Sequence, residues 1–339
     1  MKVWIDMTNT PHVHFFAPII QHLKQNHEVF VTARDFSETI PLLDSYGIDY
    51  FVTGRHQGKN RLKKVIGLIL RLKNMLKELP GFDISFGIGG QNTTPVSAWR
   101  RKPSVVFSDN DTSYKWHSYK LGSHFVFPAY FDYERVMRNF GVKRCQIHLY
   151  NGFKEDIYLA DYTPDPDFLK NLPFKDFITI RPENLKANYV PKDAVSIVPA
   201  LFRVFKDENI LFLPRYKEEH AYAEGYTNIF IPDGVLPGRD VCFYTRAMLT
   251  GAGTFAREAA ILGTPSVSFF PGKTMLTVDK IMQERGWQFN SRNPDEIYEF
   301  VKSAKKNHAH PERSNEVLNE LLGIIDAILK NTFEQKSHV

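Results

Sequence analysis

Cysteine is nearly missing from this sequence: Cys145 and Cys242 are the two in 339 residues. They stand far apart and in no metal-ligand spacing, which argues against a disulfide scaffold or a thiolate metal site and points to a reducing compartment. A long hydrophobic run is missing too. The longest apolar run near a helix, residues 65–70, falls far short of the roughly 20 residues that cross a bilayer. The opening Met1-Lys2-Val3-Trp4-Ile5-Asp6 turns acidic too soon for a secretory leader. The expectation is therefore a cytoplasmic chain, working free or at the inner face of the membrane. An excess of one charge is also lacking. Lys and Arg number 43 against 38 Asp and Glu, a net +5, and no arginine-rich stripe or interleaved aromatic platform stands out, so nucleic acid is not an expected partner. Internal repeats and low-complexity segments are absent.

What is present fits a globular α/β chain. The length suits two domains, and 43% hydrophobic and 24% charged residues are close to globular averages. Strand-like and helix-like patterns alternate, the mark of parallel sheets with helical crossovers. In the first half, strands are expected at 2–6, 28–32, 84–86, 104–107 and 124–127, with helices near 12–24, 36–46 and 61–79. The last of these is basic and amphipathic, with Leu62, Val65, Ile66, Ile69, Leu72 and Leu76 on one stripe. That stripe suits packing on a sheet, or peripheral contact with a membrane. Between 140 and 175 the pattern lapses into turn residues, and the linker is placed there. Strands resume at 176–180, 210–213, 228–231, 247–250 and 266–269. Helices are expected at 192–205, 255–262, 276–285, 295–306 and 311–330.

Ligands of doubly wound sheets sit outside the carboxyl ends of the strands, so the residues just after each strand matter most. After 247–250 comes Gly251-Ala252-Gly253-Thr254-Phe255-Ala256-Arg257-Glu258. Glycines allow close approach to a ligand, and a helix opening near Thr254, with Thr254 as its cap, aims free amides at phosphates. Glu258, one turn on, is placed to accept the hydroxyls of a ribose. The plainer alternative is a tight turn with a solvated Glu258. A dinucleotide fingerprint fits the glycines formally, but no acidic residue ends the following strand.

The string Leu-Thr-Gly-Ala-Gly-Thr at 249–254, with Arg257-Glu258-Ala259 and Leu262-Gly263-Thr264-Pro265, resembles the donor-binding signature of GT-B nucleotide-sugar enzymes. These include the peptidoglycan N-acetylglucosaminyltransferase and the UDP-N-acetylglucosamine 2-epimerases. Over nearly its full length the chain resembles the DUF354 family, whose members open with a strand and an Asn-x-Pro-His-x-His-like loop, here 9–14. The resemblance implies an α/β fold of GT-B architecture, two Rossmann-like doubly wound domains facing a cleft. They are expected at 1–165 and 172–310, with helix 311–333 crossing back. It implies a UDP-linked nucleotide-sugar as substrate, with no cofactor and no metal. Arg181-Pro182-Glu183-Asn184 is similar to a stretch of the epimerases in which an arginine reaches the phosphates. Arg181 and, after 210–213, Arg215 are thus expected at the phosphates beside Gly251, Gly253, Thr254 and Glu258, or else as surface ion-pair partners.

In the first half, Thr10 is expected as a helix N-cap and Pro11 as the first helical residue, with Asn9, His12 and His14 exposed to a ligand. An imidazole suits general-base work, though a capped structural turn would use the same residues. Gly87, Gly89 and Gly90, followed by Gln91 and Asn92, resemble a second glycine-rich loop of the glycosyltransferases and favour close approach of an acceptor. Asp109 or Asp111 is a candidate base for an inverting transfer, or a turn residue. The leading expectation is a metal-independent glycosyltransferase acting on an unknown glycan or lipid-linked acceptor. The alternatives are a UDP-N-acetylglucosamine 2-epimerase-like enzyme and a nucleotide-sugar-binding protein without turnover.

Overall fold

A computed structural model describes residues 1–36, 38–55, 61–112, 115–187, 190–272, 274–307 and 311–337. The chain divides into two compact units, residues 1–160 with 314–339, and residues 161–313.

The first unit alternates β1 (Lys2–Met7), α1 (Thr10–Leu23), β2 (Glu28–Asp35), α2 (Thr39–Ser45), β3 (Phe51–Arg55), α3 (Arg61–Glu78), β4 (Ile84–Ile88) and α4 (Thr93–Trp99). It continues with β5 (Ser104–Phe107), α5 (Trp116–Leu121), β6 (His124–Pro128), α6 (Tyr133–Phe140), β7 (Ile147–Tyr150) and α7 (Lys154–Leu159). The seven strands are ordered β3-β2-β1-β4-β5-β6-β7, all pairs parallel. Strand order reverses between β1 and β4, so the loops leaving their carboxyl ends splay apart and open a crevice there. Central strands are buried on both faces, as β1 shows with Val3 to Met7 all inside.

The second unit holds β8 (Ile178–Arg181), α8 (Val198–Val204), β9 (Ile210–Phe212), β10 (Ile229–Phe230), α9 (Gly238–Tyr244) and β11 (Ala247–Thr250). Then follow α10 (Gly253–Ile261), β12 (Ser266–Ser268), α11 (Thr277–Glu284), β13 (Gln288–Asn290) and α12 (Pro294–Ser303). Its six parallel strands run β10-β9-β8-β11-β12-β13, with the reversal between β8 and β11. The fold class read from the sequence, two Rossmann-like units of GT-B type, is therefore the one adopted.

The last helix, α13 (Pro311–Ser337), places Val317, Leu318, Leu321, Ile325, Ile328 and Leu329 in the core of the first unit, among Val13, Phe16 and Ile20 of α1. It also receives the chain end of β7. Asn151 N–H donates to Glu320 Oε2 at 2.7 Å, and a Cβ at Gly152 would stand 2.3 Å from Val317 Cγ1.

Several expected elements change. Strands β3, β7 and β13 were not anticipated, and β7 with α7 occupies part of the stretch read as linker. β7 is four residues long and carries a histidine, too short for alternation to register. The expected helix 192–205 contracts to the seven residues of α8, whose Pro199 stands in its first turn. The inward residues are Arg71 and Met75 of α3 and Leu79 just past it, with Leu72 and Leu76 partly buried, whereas Ile66 (54%), Ile69 (58%) and Leu70 (54%) are exposed. The buried face thus shares Leu72 and Leu76 with the stripe read from the sequence but leaves Ile66 and Ile69 outside it, and the side chains of Leu62 and Val65 lie outside the described residues. No helix among the described residues is long and apolar enough to cross a membrane.

The contact at Gly152 gives a direct test of how α13 is seated. Gly152→Ala should lower the stability of the first unit by roughly 1–3 kcal/mol through overpacking. Urea unfolding of Gly152→Ala, Val317→Ala and the double variant should show the second substitution relieving part of the first. Strict additivity would mean that the two sites do not touch.

Candidate functional site

In the second unit, Arg181 ends β8 directly opposite Thr250, the last residue of β11. Gly251 N–H donates to Arg181 O at 3.1 Å. A Cβ at Gly251 would lie 2.4 Å from Glu183 Cγ and 2.5 Å from Glu183 Cα, so the residue must be glycine for the two chains to pass. Thr250 Oγ1 accepts from Ala252 N–H at 3.1 Å, and α10 opens at Gly253 with Ala252 as its N-cap residue. The expectation of Thr254 as cap is corrected: it lies inside the first turn, because the threonine before the turn already serves the turn amide.

Glu258 is buried, 5% exposed, and so is not the solvated carboxylate of the plainer alternative. It lies in the electrostatic reach of Arg181, whose guanidinium sits over the Phe255 ring, 5.0 Å from its centroid. Burial, then the neighbouring Arg215, push Arg181 down to about 10, against the pull of Glu219 and Glu258. An arginine held beside another arginine under partial burial is poised to gain from an added anion. Arg215 itself is anchored: its Nε donates to Pro182 O at 2.8 Å and its backbone N–H to Glu219 Oε2 at 2.5 Å. Gly253 faces the Arg257 guanidinium, 3.0 Å from where a Cβ would stand. Arg257, which the sequence did not single out, is buried and pairs with Asp279 at 3.3 Å. Cys242, also buried, has its thiol pushed well up by burial and by Glu258.

The Arg-Pro-Glu-Asn stretch divides its work. Arg181 faces the turn, but Glu183 is fully buried and accepts from Ser196 Oγ at 2.7 Å, Ile197 N–H at 3.2 Å and Arg292 Nη1 at 2.9 Å. Asn184 Oδ1 accepts from Tyr216 O–H at 2.8 Å. Two of its four residues therefore hold the loop after β8 in place.

In the first unit, the carboxyl ends of β2, β1 and β4, with α3 alongside, carry a polar cluster centred on Asp6. Asp6 is 4% exposed; Oδ1 accepts from Thr32 Oγ1 and from Arg71 Nη2, both at 2.7 Å, and Oδ2 accepts from Asn92 Nδ2 at 2.7 Å. Thr32 Oγ1 in turn accepts from Trp4 Nε1 at 2.9 Å. Asn92 is thus a buried strut of the loop after β4 and not a surface contact. Asn9 is the N-cap residue of α1 and Thr10 its first residue, one position earlier than expected; Asn9 Oδ1 accepts from Arg34 Nη2 at 3.2 Å.

His12 is buried on that helix and accepts from Thr8 N–H at 3.4 Å through Nδ1. Burial, then Lys154 and Lys115, push its pKa down to about 3, against Asp109. A ring with so weak a hold on a proton is poorly suited to general-base work, which argues against the role expected for it. His14 joins Tyr46 O–H at 2.9 Å and stacks on Tyr158, partners on α2 and α7, so it serves helix packing. Gly87, Gly89 and Gly90 are explained locally. Gly89 and Gly90 take φ of +67° and +61°, and a Cβ at Gly87 would meet Thr93 Oγ1 at 2.8 Å. Backbone conformation at Gly89 and Gly90 and side-chain packing at Gly87 thus account for these glycines without an acceptor. Gln91 Oε1 accepts from Lys115 Nζ at 2.9 Å. Asp109 pairs with Lys154 at 2.6 Å beside a cavity of about 10 Å³, lined also by Phe15, Phe107 and Tyr150. Among the described residues no group of three or more His, Cys, Asp or Glu could hold a metal ion.

The histidines give a pH test. His124 Nδ1 lies 3.2 Å from His148 Nε2, and burial, then His148, push His124 down to about 4. Both His12 and His124 have folded values below the ordinary 6.5, so the fold favours the neutral ring. That contribution is complete above pH 6.5 and is lost as pH falls toward 4 and 3. At pH 5, His12 should cost roughly 2 kcal/mol of stability relative to pH 7. Urea unfolding at both pH values should show a shallower loss in His12→Gln than in the native chain; equal losses would place His12 in water.

Comparisons with known proteins agree with this architecture. An uncharacterized protein of Methanocaldococcus jannaschii is 26% identical over 323 residues, 89% of this chain and 91% of its own. The UDP-GlcNAc 2-epimerase of the same organism, solved in complex with UDP-GlcNAc and UDP, is similar with a TM-score of 0.68 at 16% identity, covering 95% of this chain and 99% of that one. The glycotransferase of kitacinnamycin is similar with a TM-score of 0.62 at 10% identity, covering 98% of each chain. Residues 1–334 match the family described as protein of unknown function DUF354, and the chain belongs to that family.

Proposed function

We propose that this chain is a glycosyltransferase that takes a sugar from a nucleoside diphosphate, UDP in the first instance, and that the nucleotide is held on the second unit. The buried Glu258, one turn inside the helix that opens at Gly253, carries this reading. From its place one turn inside α10 a carboxylate offers acceptor oxygens, and the vicinal hydroxyls of a ribose are donors of the right spacing. The first amides of α10, at Gly253 and Thr254, take the diphosphate, aided by the helix dipole. Arg181 adds charge from the end of β8, where its neighbour Arg215 already disfavours an unoccupied cation. This division of labour neutralises the diphosphate without a metal. That a protein of the same fold was solved with UDP-GlcNAc and UDP supports the choice of nucleotide.

On the first unit, Asp109 replaces His12 as the group proposed to accept the proton of an acceptor hydroxyl. It stands just past β5, held by Lys154. Its acceptor carries a free hydroxyl, on a glycan or on a lipid-linked sugar.

A second reading is an epimerase acting on UDP-GlcNAc, favoured by the fold shared with UDP-GlcNAc 2-epimerases. The sequence feature that supported it is weakened, because Glu183 of the Arg-Pro-Glu-Asn stretch is fully occupied by Ser196, Ile197 and Arg292.

Two measurements decide. Calorimetric titration with UDP should show Glu258→Gln weakened by about 1.5–3 kcal/mol, the worth of a charge-assisted hydrogen bond, with unfolding unchanged. Unaltered UDP affinity in that variant would remove the ribose assignment. Incubation of the native protein with UDP-GlcNAc alone should leave the sugar at C2 unchanged, since transfer needs an acceptor; conversion to the C2 epimer would establish the second reading instead.

A further inference from the structure

Two cations at the carboxyl edge of the first sheet, Arg34 and Lys115, form no ion pair with a carboxylate among the described residues. Arg34, near the end of β2, spends Nη2 on two neutral acceptors of the loop after β1, Thr8 O at 3.0 Å and Asn9 Oδ1 at 3.2 Å. Its Nε is buried without a hydrogen bond among the described residues. Lys115, in the connection between β5 and α5, donates to another neutral acceptor, Gln91 Oε1 at 2.9 Å. Its ammonium passes beside Gly89, 3.6 Å from where a Cβ would be. Both side chains are half-buried.

Two carboxylates of the region, Asp6 and Asp109, are committed elsewhere. Asp6 is bonded to Arg71, Thr32 and Asn92, and Asp109 is paired with Lys154. Arg34 is held by the loop after β1 and Lys115 by the loop after β4, and these two strands are neighbours in the sheet; consistent with that, the charge of Arg34 lowers the pKa of Lys115, after burial. Arg34 itself is lowered by burial and by Arg71, against Asp6. Like charges gathered under partial burial raise the free energy of the empty fold, and an anion set between them reverses the sign of each term. Surface cations with water on all sides would show no such mutual effect.

We propose that Arg34 and Lys115 form an anion seat on the first unit, which takes a phosphate or carboxylate of the ligand bound there. It rests on the proposed function for the ligand's role as acceptor, and it adds the class: an acceptor carrying an anionic group near its reacting hydroxyl. Gln91 and Asn9 position the two cations, and His12, neutral beside them, adds no competing charge.

The test is calorimetry on the full chain with inorganic phosphate, glucuronate and neutral glucose, each with and without UDP. Phosphate or glucuronate should bind and glucose should not, and the tighter of the two names the anion. Arg34→Gln and Lys115→Gln should each weaken that binding about tenfold or more, while Arg34→Lys retains most of it. The His12 ring resonances should move on adding the anion to the native protein and stay fixed in Lys115→Gln. Arg181→Gln, on the other unit, should leave anion binding unaffected while weakening UDP. Anion binding abolished by Arg181→Gln and preserved in Arg34→Gln would overturn the seat and leave the nucleotide site standing. Anion binding sensitive to Arg34 in a protein indifferent to UDP would keep the seat and remove the nucleotide. No anion binding at millimolar concentration would also overturn it.

Discussion

The buried carboxylate of Asp6 is the constraint on which the first unit's functional edge depends. One side chain at the end of β1 ties together β2 through Thr32, α3 through Arg71 and the loop after β4 through Asn92. A charge so deep is tolerable only when each oxygen is matched, and removing one partner of such a pair typically costs about 3–5 kcal/mol. The cost falls on geometry as much as on stability. Asn92 precedes α4 and follows Gln91, so the position of Lys115 is referred back to Asp6 through a short chain of bonds. The strand-order reversal between β1 and β4 supplies the gap, and Asp6 sets how the loops stand around it.

The second unit solves the same problem with the partners exchanged. There the buried carboxylate that organises the loop is Glu183, just past β8, bonded to Arg292 and to the segment that opens α8. Gly251 is the counterpart of that arrangement: the chain leaving β11 passes so close to Glu183 that a side chain is forbidden. The consequence is that Arg181 and the start of α10 are held side by side, with Glu258 buried behind them. In both units a structural acid near a strand end fixes the loop that carries other charged groups.

Much of the fold was legible because parallel strands buried on both faces read as short apolar runs, as Val105-Val106-Phe107 and Met248-Leu249 do. Strands such as Ile147–Tyr150 escaped because a histidine interrupts four residues. The site was only half legible. Glu258 and Arg181 stand out from motif and position, but Asp6 looked like an ordinary acidic residue near the chain start. The signal for Arg71 was available: it lies four residues before Met75 and eight before Leu79, in the row that packs inward. A lone arginine in register with an apolar row implies a buried acid. Glycine content misled in the other direction, since Gly87 and Gly90 answer to the side chains of Thr93 and Thr94, and no ligand is needed to explain them. His12 and His14, two residues apart, point to different neighbours on a helix and so could not act as a pair.

The placement of α13 also bears on how the chain is made. Val317, Leu321 and Ile325 complete a core whose other members come from the first 160 residues, and the whole of the second unit is synthesised in between. During vectorial synthesis the earlier unit emerges with that side of its core uncovered, and it closes only once α13 has been made. The later-made unit, continuous in sequence, has all its strands available sooner. A premature stop within the last helix would thus spoil the oldest part of the protein and spare the youngest.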